Sequence, residues 1–183
     1  MENMETDYEI SRLGGRRAYE TYKLESFQPK SDQQKQALEY CTNFDPKSDN
    51  MMLIGPAGTG KTHLAVGTAR KFSSDVWKPM EISRHLRASE NAEDEHKRIR
   101  NLIDWPCIVI DDLGVEKCTE WLTVLLFEII DGRYQAMSGG LIITANVGLD
   151  GLAQRLGDDR ISSRLAQMCK RFTFTGHKDQ RTK

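Results

Sequence analysis

Eight consecutive residues have the types and spacing of a phosphate-binding loop, G-x-x-x-x-G-K-S/T. They are Gly55, Pro56, Ala57, Gly58, Thr59, Gly60, Lys61 and Thr62. Glycine reaches backbone angles that other residues avoid, so successive N–H groups can curl around a phosphate. Lys61 would add a positive charge for the β- and γ-phosphates, and the Thr62 hydroxyl would ligate Mg²⁺. With His63 directly after it, the loop predicts a site for a nucleoside triphosphate; the alternative is a glycine turn that matches by chance.

Two adjacent carboxylates end an apolar segment later in the chain, where Asp111 and Asp112 follow residues 108–110. Beside a phosphate loop, this is the form of a Walker B element. Asp111 would hold Mg²⁺, directly or through water, and Asp112 would orient or activate the attacking water. The alternative is that the two carboxylates only cap a turn.

An amide side chain follows a further apolar segment, at Asn146. Ligands of open α/β sheets bind at the carboxyl ends of the strands, where this residue would lie. Asn146 is therefore a candidate for positioning water against the γ-phosphate. Equally, it could cap a helix that begins near Leu149.

The elements that must position these groups alternate between strand and helix patterns. Apolar runs predict strands at 51–54, 76–80, 107–110, 141–144 and 171–175. Helical patterns cover 32–44 after a Ser31 cap, 63–72, two helices within 82–103, 119–137 and 158–168. Such alternation predicts a mainly parallel sheet with helices on both faces.

Length and composition narrow the class of protein. The 183 residues suit one domain that buries a core without disulfides or metals. The net charge of -1 excludes a global basic field for nucleic acid. Four cysteines without C-x-x-C spacing indicate reduced thiols. No apolar run approaches the roughly 20 residues that span a bilayer, so we expect a cytoplasmic protein without a membrane partner. Residues 1–26 are polar and predict a flexible N-terminal arm, which leaves 27–183 as the packed core.

Taken together, the motifs resemble those of the DnaC/DnaI and IstB-like group of AAA+ ATPases. The matching segments are 55–62, 108–114, 131–134, 142–146 and 159–165. The resemblance implies a three-layer RecA-like AAA+ core, ATP with Mg²⁺ as cofactors, and Asn146 as the sensor 1 residue. It also implies an arginine finger that reaches a neighbouring subunit's site, with Arg164 as the best match and Arg160 as the alternative. Either arginine could instead pair with Asp158 or Asp159.

Three departures from the family pattern change what is expected. Asp112 stands where many AAA+ proteins have glutamate, which favours slow hydrolysis. The stretch after Arg164 is too short for the C-terminal helical lid, so no sensor 2 residue is assigned. We also expect no separate helicase-binding domain before the core, so that residues 1–26 would be the segment there that binds a helicase.

A basic cluster on a predicted helix is a candidate for single-stranded DNA contacts. It contains Lys97, Arg98 and Arg100, in a region that the resembled group uses to meet single-stranded DNA. Acidic residues precede the cluster, and a solvated charged helix explains the pattern equally well.

The resemblance supports several functions. The first is an ATP-dependent loader, active as a homo-oligomer, that delivers a replicative ring helicase to single-stranded DNA. The second is an IstB-like transposition helper ATPase that recruits a transposase. A nucleotide-gated DNA-binding adaptor with negligible turnover is a third, and a small-molecule kinase would need a closing lid.

Overall fold

The computed structural model describes residues 17–176, and its centre is a five-stranded sheet. The strands are β1 (Met51–Ile54), β2 (Asp75–Trp77), β3 (Ile108–Leu113), β4 (Leu141–Ala145) and β5 (Lys170–Thr173). All neighbouring strands pair in parallel, in the order β2-β3-β4-β1-β5. The carboxyl ends of β1, β3 and β4 therefore lie side by side at one edge, where the predicted chemical groups follow them.

Helices connect the strands and cover both faces of the sheet. They are α1 (Arg17–Glu20), a 3-10 turn (Leu24–Ser26), α2 (Asp32–Asn43), α3 (Lys61–Arg70), α4 (Pro79–Arg87), α5 (Ala92–Asp104), α6 (Glu120–Gln135), α7 (Leu149–Leu156) and α8 (Arg160–Met168). With the parallel sheet between two helical layers, the predicted three-layer α/β architecture is confirmed.

Alternating strand residues divide the core into two parts. Met52 and Ile54 of β1 face a core shared with α4 to α8, whereas Met51 and Leu53 face a core shared with α1, the 3-10 turn, α2 and α3. All four side chains are buried. Because both faces are covered, β1 is an unbroken apolar run rather than an alternation of apolar and polar residues.

Several predicted boundaries require correction. The strand predicted at 76–80 ends at Trp77, because Pro79 begins α4 and the Lys78 N–H donates to the Glu81 side chain at 2.8 Å. Proline suits the first turn of a helix and cannot donate to a sheet. The strand predicted at 107–110 continues to Leu113, so both predicted carboxylates belong to β3. The helix after the phosphate loop begins at Lys61 rather than His63.

The packed body begins earlier than the predicted boundary at residue 27. Residues 1–16 of the predicted flexible arm lie outside the described part of the chain, as do 177–183 of the predicted core. Tyr19 and Leu24, however, are buried in the same core as Phe27. Residues 17–26 are mostly polar, so their composition did not indicate that a few apolar side chains among them pack on α3.

Between β5 and residue 176 the described chain contains no helix, so no C-terminal helical lid is present within residues 17–176. Likewise, none of the helices in this range is long and apolar enough to cross a membrane.

Candidate nucleotide-binding site

The phosphate loop joins β1 to α3 and uses the backbone freedom of glycine. Gly58 and Gly60 have φ angles of 76° and 86°, in the left-handed region. A Cβ on Gly60 would lie 2.5 Å from the Phe27 ring, so a larger residue would clash there. Gly60 also brings no side chain to cap α3. The first N–H groups of this helix are therefore available to bind an anion.

Lys61 is held inside the loop. Its ammonium group donates to the Pro56 carbonyl at 2.8 Å, and the Thr59 hydroxyl donates to the same carbonyl at 2.8 Å. Only 5% of Lys61 is exposed. A positive charge thus lies at the centre of the curled backbone, where phosphate oxygens would meet it.

Asp111 is a buried carboxylate surrounded by hydroxyl groups. Its Oδ1 accepts from Thr62 at 2.9 Å and from Thr144 at 2.7 Å, and its Oδ2 accepts from the Tyr19 hydroxyl at 2.8 Å. The residue is 1% exposed. The loop hydroxyl and the strand carboxylate predicted to share a metal are therefore in direct contact.

The chemistry of these groups fits Mg²⁺. Mg²⁺ prefers oxygen ligands. In proteins it is commonly bound by one or two side chains, with water and substrate phosphates as the remaining ligands. The Thr62 hydroxyl and the Asp111 carboxylate supply such oxygens. Within residues 17–176 there is no group of three or more His, Cys, Asp or Glu side chains that could hold a metal ion.

A bulge separates the two adjacent carboxylates. Ile110 pairs with Ile143 and Leu113 with Ala145, so β3 contains one more residue than β4 across this stretch. Asp112 has a φ of 62°, and its N–H donates to the Thr144 hydroxyl at 2.8 Å. Bulges redirect side chains beside active sites. Here Asp111 is buried while Asp112 lines the open cleft, with its Oδ2 3.1 Å from the Lys78 ammonium.

Asn146 directly follows β4 and lines the same cleft. Its side-chain oxygen is buried and has no hydrogen-bond partner within the described chain. A buried acceptor left without a donor costs about 1–3 kcal/mol. A donor inside the cleft, such as a water molecule, would satisfy this oxygen.

The cleft brings most of the predicted site residues together. Its volume is about 380 Å³, within the range of ligand pockets. It is lined by Tyr22, Ala57, Gly58, Gly60, Lys61, Thr62, His63, Asp112, Val115 and Asn146. Sequence reasoning missed Tyr19, Tyr22, Lys78 and Thr144, which reach this site only through the fold. Thr144 had a signal, because it lies near the carboxyl end of β4, two residues before Asn146.

His63 faces the segment that precedes α2. Its Nε2 lies 2.8 Å from the Lys23 carbonyl oxygen and 3.2 Å from the Ser26 hydroxyl. Its ring stacks on Tyr22, with 4.8 Å between centroids. His63 therefore joins the phosphate-loop helix to residues 22–26.

The two candidate arginine fingers lie on α8, and neither lines the cleft of its own chain. Arg164 pairs with Asp131 at 2.5 Å and lies over the Tyr134 ring at 4.6 Å. Arg160 pairs with Asp158 at 2.7 Å, as one sequence alternative expected, and its hydrogen bond lowers the pKa of that carboxyl. For Arg164 the partner is on α6 rather than at Asp158 or Asp159.

Arg133 gives the segment at 131–134 a structural role. The side chain is fully buried. Its guanidinium donates to the carbonyls of Leu102, Ile103, Trp105 and Gly139, at 2.6 to 3.0 Å. These bonds satisfy the free carbonyl end of α5 and fix the turn before β4.

The predicted DNA cluster divides into engaged and exposed side chains. Arg98 donates to Asp94 at 2.9 Å and to the His85 carbonyl at 2.8 Å, which ties α5 to α4. Lys97 and Arg100 are exposed. Of the three candidates, Lys97 and Arg100 have the freedom to meet a ligand.

Known proteins resemble the chain along most of its length. The family model described as IstB-like ATP binding protein matches residues 1–180. The ATP-binding protein of insertion sequence IS5376 from Geobacillus stearothermophilus is 24% identical, over 88% of this chain and 65% of that protein. The replicative helicase loader DnaC of Escherichia coli K12 is 23% identical, over 85% of this chain and 67% of that protein. The chain spans 56 to 65% of the length of three insertion-sequence relatives.

Solved structures show the same architecture. The DnaC helicase loader is 28% identical, with a TM-score of 0.73 over 87% of this chain and 99% of that chain. DnaI is 19% identical, with a TM-score of 0.72 over 86% and 93%, a likeness that shows the fold alone. The chain thus has an AAA+ ATP-binding fold that is related both to helicase loaders and to insertion-sequence proteins.

Proposed function

Since the chain belongs to the family of IstB-like ATP-binding proteins, we propose that it hydrolyses ATP with Mg²⁺ and delivers a replicative ring helicase to single-stranded DNA. The observation that carries the hydrolytic part is the 2.9 Å contact between Thr62 and Asp111 beside the unpartnered oxygen of Asn146. A metal-binding pair and a water-positioning group meet in one cleft, as phosphoryl transfer to water requires.

In this proposal, the loop and α3 bind the triphosphate. The N–H groups of residues 58–62 cradle the phosphates, and Lys61 exchanges the Pro56 carbonyl for phosphate oxygens. Thr62 and Asp111 would hold Mg²⁺, which, when bound, neutralises charge on the phosphoryl oxygens. Neutralisation matters because the transferred group gathers negative charge at the transition state.

Asp112 and Asn146 act on the attacking water. Asp112 lines the cleft and accepts the water's proton, while the Asn146 oxygen orients the molecule. Asp112 is paired with Lys78 at 3.1 Å. The carboxylate must leave or share this ion pair before it can reach the water. Slow hydrolysis follows from this pairing and from the short Asp112 side chain.

A neighbouring subunit completes the site. Arg164 lies outside the cleft of its own chain, and its guanidinium is part-exposed on α8. We assign it to the γ-phosphate of the next copy, in a homo-oligomer that forms when ATP is bound. Arginine in that role accelerates comparable NTPases by about 10³-fold to 10⁵-fold.

Two versions of this function differ in the cargo, which is the protein that the chain delivers or recruits. The likeness to the DnaC helicase loader, 28% identical over 99% of that chain, supports a ring helicase. The family match and the insertion-sequence relatives support a second candidate, a transposition helper that recruits a transposase. A DNA-binding adaptor with negligible turnover remains a third outcome of the tests.

Hydrolysis is tested by single-turnover assays, with and without single-stranded DNA. Asp112→Asn should abolish most hydrolysis while leaving nucleotide binding, because the amide cannot accept a proton. Hydrolysis at the parental rate would refute the role of Asp112. Nucleotide binding without turnover in the parent, even with DNA, would leave only the adaptor.

The cargo is tested by capturing either the cognate replicative helicase or a transposase on the immobilised full chain, with and without ATP. We expect ATP-dependent capture of the helicase, and Lys61→Ala should remove it. Lys35→Ala, an exposed lysine on α2, is the matched control and should retain capture. Capture of the transposase alone would favour the second candidate.

A further inference from the structure

We propose that Tyr19 is a positioning residue for Asp111, through which residues 19–27, here called the N-terminal strap, control Mg²⁺ affinity at the nucleotide site. The inference rests on the proposed nucleotide site and adds a regulatory element to it. Tyr19 is not among the residues that line the cleft. It acts through the carboxylate that binds the metal.

The first support is the hydrogen bonding of Asp111. An ionised carboxylate has about four acceptor positions, and three of them receive hydroxyl groups here. Thr62 and Thr144 occupy Oδ1, while Tyr19 donates to Oδ2 at 2.8 Å. Tyr19 therefore holds one carboxylate oxygen while Thr62 and Thr144 hold the other, and together they fix the orientation of the group.

The second support is burial. Tyr19 is 6% exposed and Asp111 is 1% exposed, so water is largely excluded from the bond between them. A hydrogen bond to a charged acceptor is stronger than a neutral one, and a low local dielectric strengthens it further. Loss of the hydroxyl would leave Oδ2 without this donor and free the carboxylate to rotate.

The third support is the path of the strap along the cleft. Tyr19 stacks on Tyr22 at 5.6 Å, and Tyr22 stacks on His63 at 4.8 Å. Phe27 meets the same His63 edge-on at 5.2 Å and packs against Gly60. The strap thus contacts the metal carboxylate, the phosphate loop and the first turn of α3 together.

The consequence is reciprocal coupling between the strap and the metal. Partners that orient metal ligands commonly contribute 10-fold to 100-fold to metal affinity. If the docked strap raises Mg²⁺ affinity, bound Mg²⁺ must stabilise the docked strap by the same factor. A segment that precedes the phosphate loop in the chain can then report the state of the nucleotide site.

The test uses the full chain and a fluorescent ATP analogue, with binding measured at equilibrium. Tyr19→Phe keeps the ring and removes the hydroxyl. We expect the half-saturating Mg²⁺ concentration to rise about 10-fold, while nucleotide affinity in EDTA stays within about twofold of the parent. Tyr40→Phe is the matched control, because it removes the hydroxyl of a tyrosine on α2 that packs against the same core as Tyr19 and does not line the cleft. It should leave both values unchanged.

A second readout follows the strap itself. Tryptic cleavage after the exposed Lys23, detected by mass spectrometry, should slow when Mg²⁺ and nucleotide are added to the parent, and should slow less in Tyr19→Phe. An unchanged Mg²⁺ dependence in Tyr19→Phe would overturn the inference, and so would an equal loss of affinity with Mg²⁺ and with EDTA. Failure of the parent to bind nucleotide at all would instead overturn the proposed function, and this inference with it.

Discussion

The nucleotide cleft and the arginine face of α6 and α8 differ in how their charged groups are held. In the cleft, Asp111 is 1% exposed and accepts three hydrogen bonds. On the arginine face, Arg164 pairs with the carboxylate of Asp131, and both side chains are about a quarter exposed. The cleft is thus organised by one chain, whereas the arginine can exchange its partner without unfolding anything. This difference suits a site that one subunit prepares and a second completes.

The largest expected effect is on the arginine face. Arg164→Ala should lower the rate of hydrolysis by about 10³-fold while leaving nucleotide affinity within about threefold of the parent. The reason is that Arg164 does not line the cleft of its own chain. Single-turnover hydrolysis and equilibrium binding of a fluorescent nucleotide measure the two quantities. Arg160→Ala is the matched control on the same helix, and a larger loss there would transfer the role to Arg160.

Mixing variants separates an arginine that acts between subunits from one that acts within its own. Asp112→Asn and Arg164→Ala subunits, combined in equal amounts, should recover roughly a quarter of the parental rate, because a head-to-tail interface takes its parts from different copies. If no activity is recovered, Arg164 does not act on the site of a neighbouring subunit. The cleft and the arginine face would then differ in structure but not in function.

The next effect compares Arg133, which belongs to segment 131–134, with Arg164, which pairs with that segment through Asp131. Arg133 is buried and donates to four carbonyls, so Arg133→Met should lower the free energy of unfolding by about 3 kcal/mol. Arg164→Ala should lower it by less than about 1 kcal/mol, since its ion pair is part-exposed. Urea denaturation measures both. Equal losses would remove the distinction between a structural and an exchangeable arginine.

Local signals located most of the residues that line the cleft. The phosphate loop, the apolar runs of β1, β3 and β4, and Asn146 are each encoded by adjacent residues, so the cleft could be assembled before the structure was known. The bulge at Asp112 could not, because it depends on how β3 pairs with β4. Tyr19 was hidden for a similar reason, since 92 residues separate it from Asp111.

The partners of charged side chains were harder to predict from the sequence than the phosphate loop and the strands. Lys78 stands where a strand was predicted, and only the early end of β2 brings it to Asp112. Arg98 looked like its neighbours in the sequence, yet its guanidinium bonds to Asp94 and to the His85 carbonyl. Which charge is exposed depends on the packing of α5 against α4, and helical periodicity alone does not determine it.

A smaller effect is expected from the ion pair within the cleft. Lys78→Met removes the ion pair that holds the Asp112 carboxylate. The carboxylate can then turn toward the water, so single-turnover hydrolysis should rise about fivefold, the equivalent of about 1 kcal/mol. Lys35→Met is the control, because it deletes an equal charge from an exposed pair with Asp32. A fall in rate would show that Lys78 supports Asp112 in its working position rather than restraining it.

The smallest effect concerns the basic residues of α5. It compares a side chain that is hydrogen-bonded within the chain with side chains that are exposed. Lys97 and Arg100 are exposed, so replacing either with alanine should weaken binding of single-stranded DNA by a few fold. The slope of log affinity against log salt should fall by about 0.7 for each lost phosphate contact. Arg98→Ala should leave the slope unchanged, because this guanidinium is already bonded to Asp94 and His85. Fluorescence anisotropy of a labelled oligonucleotide over a range of salt measures the slopes, and one slope common to all three variants would mean that DNA does not bind at this helix.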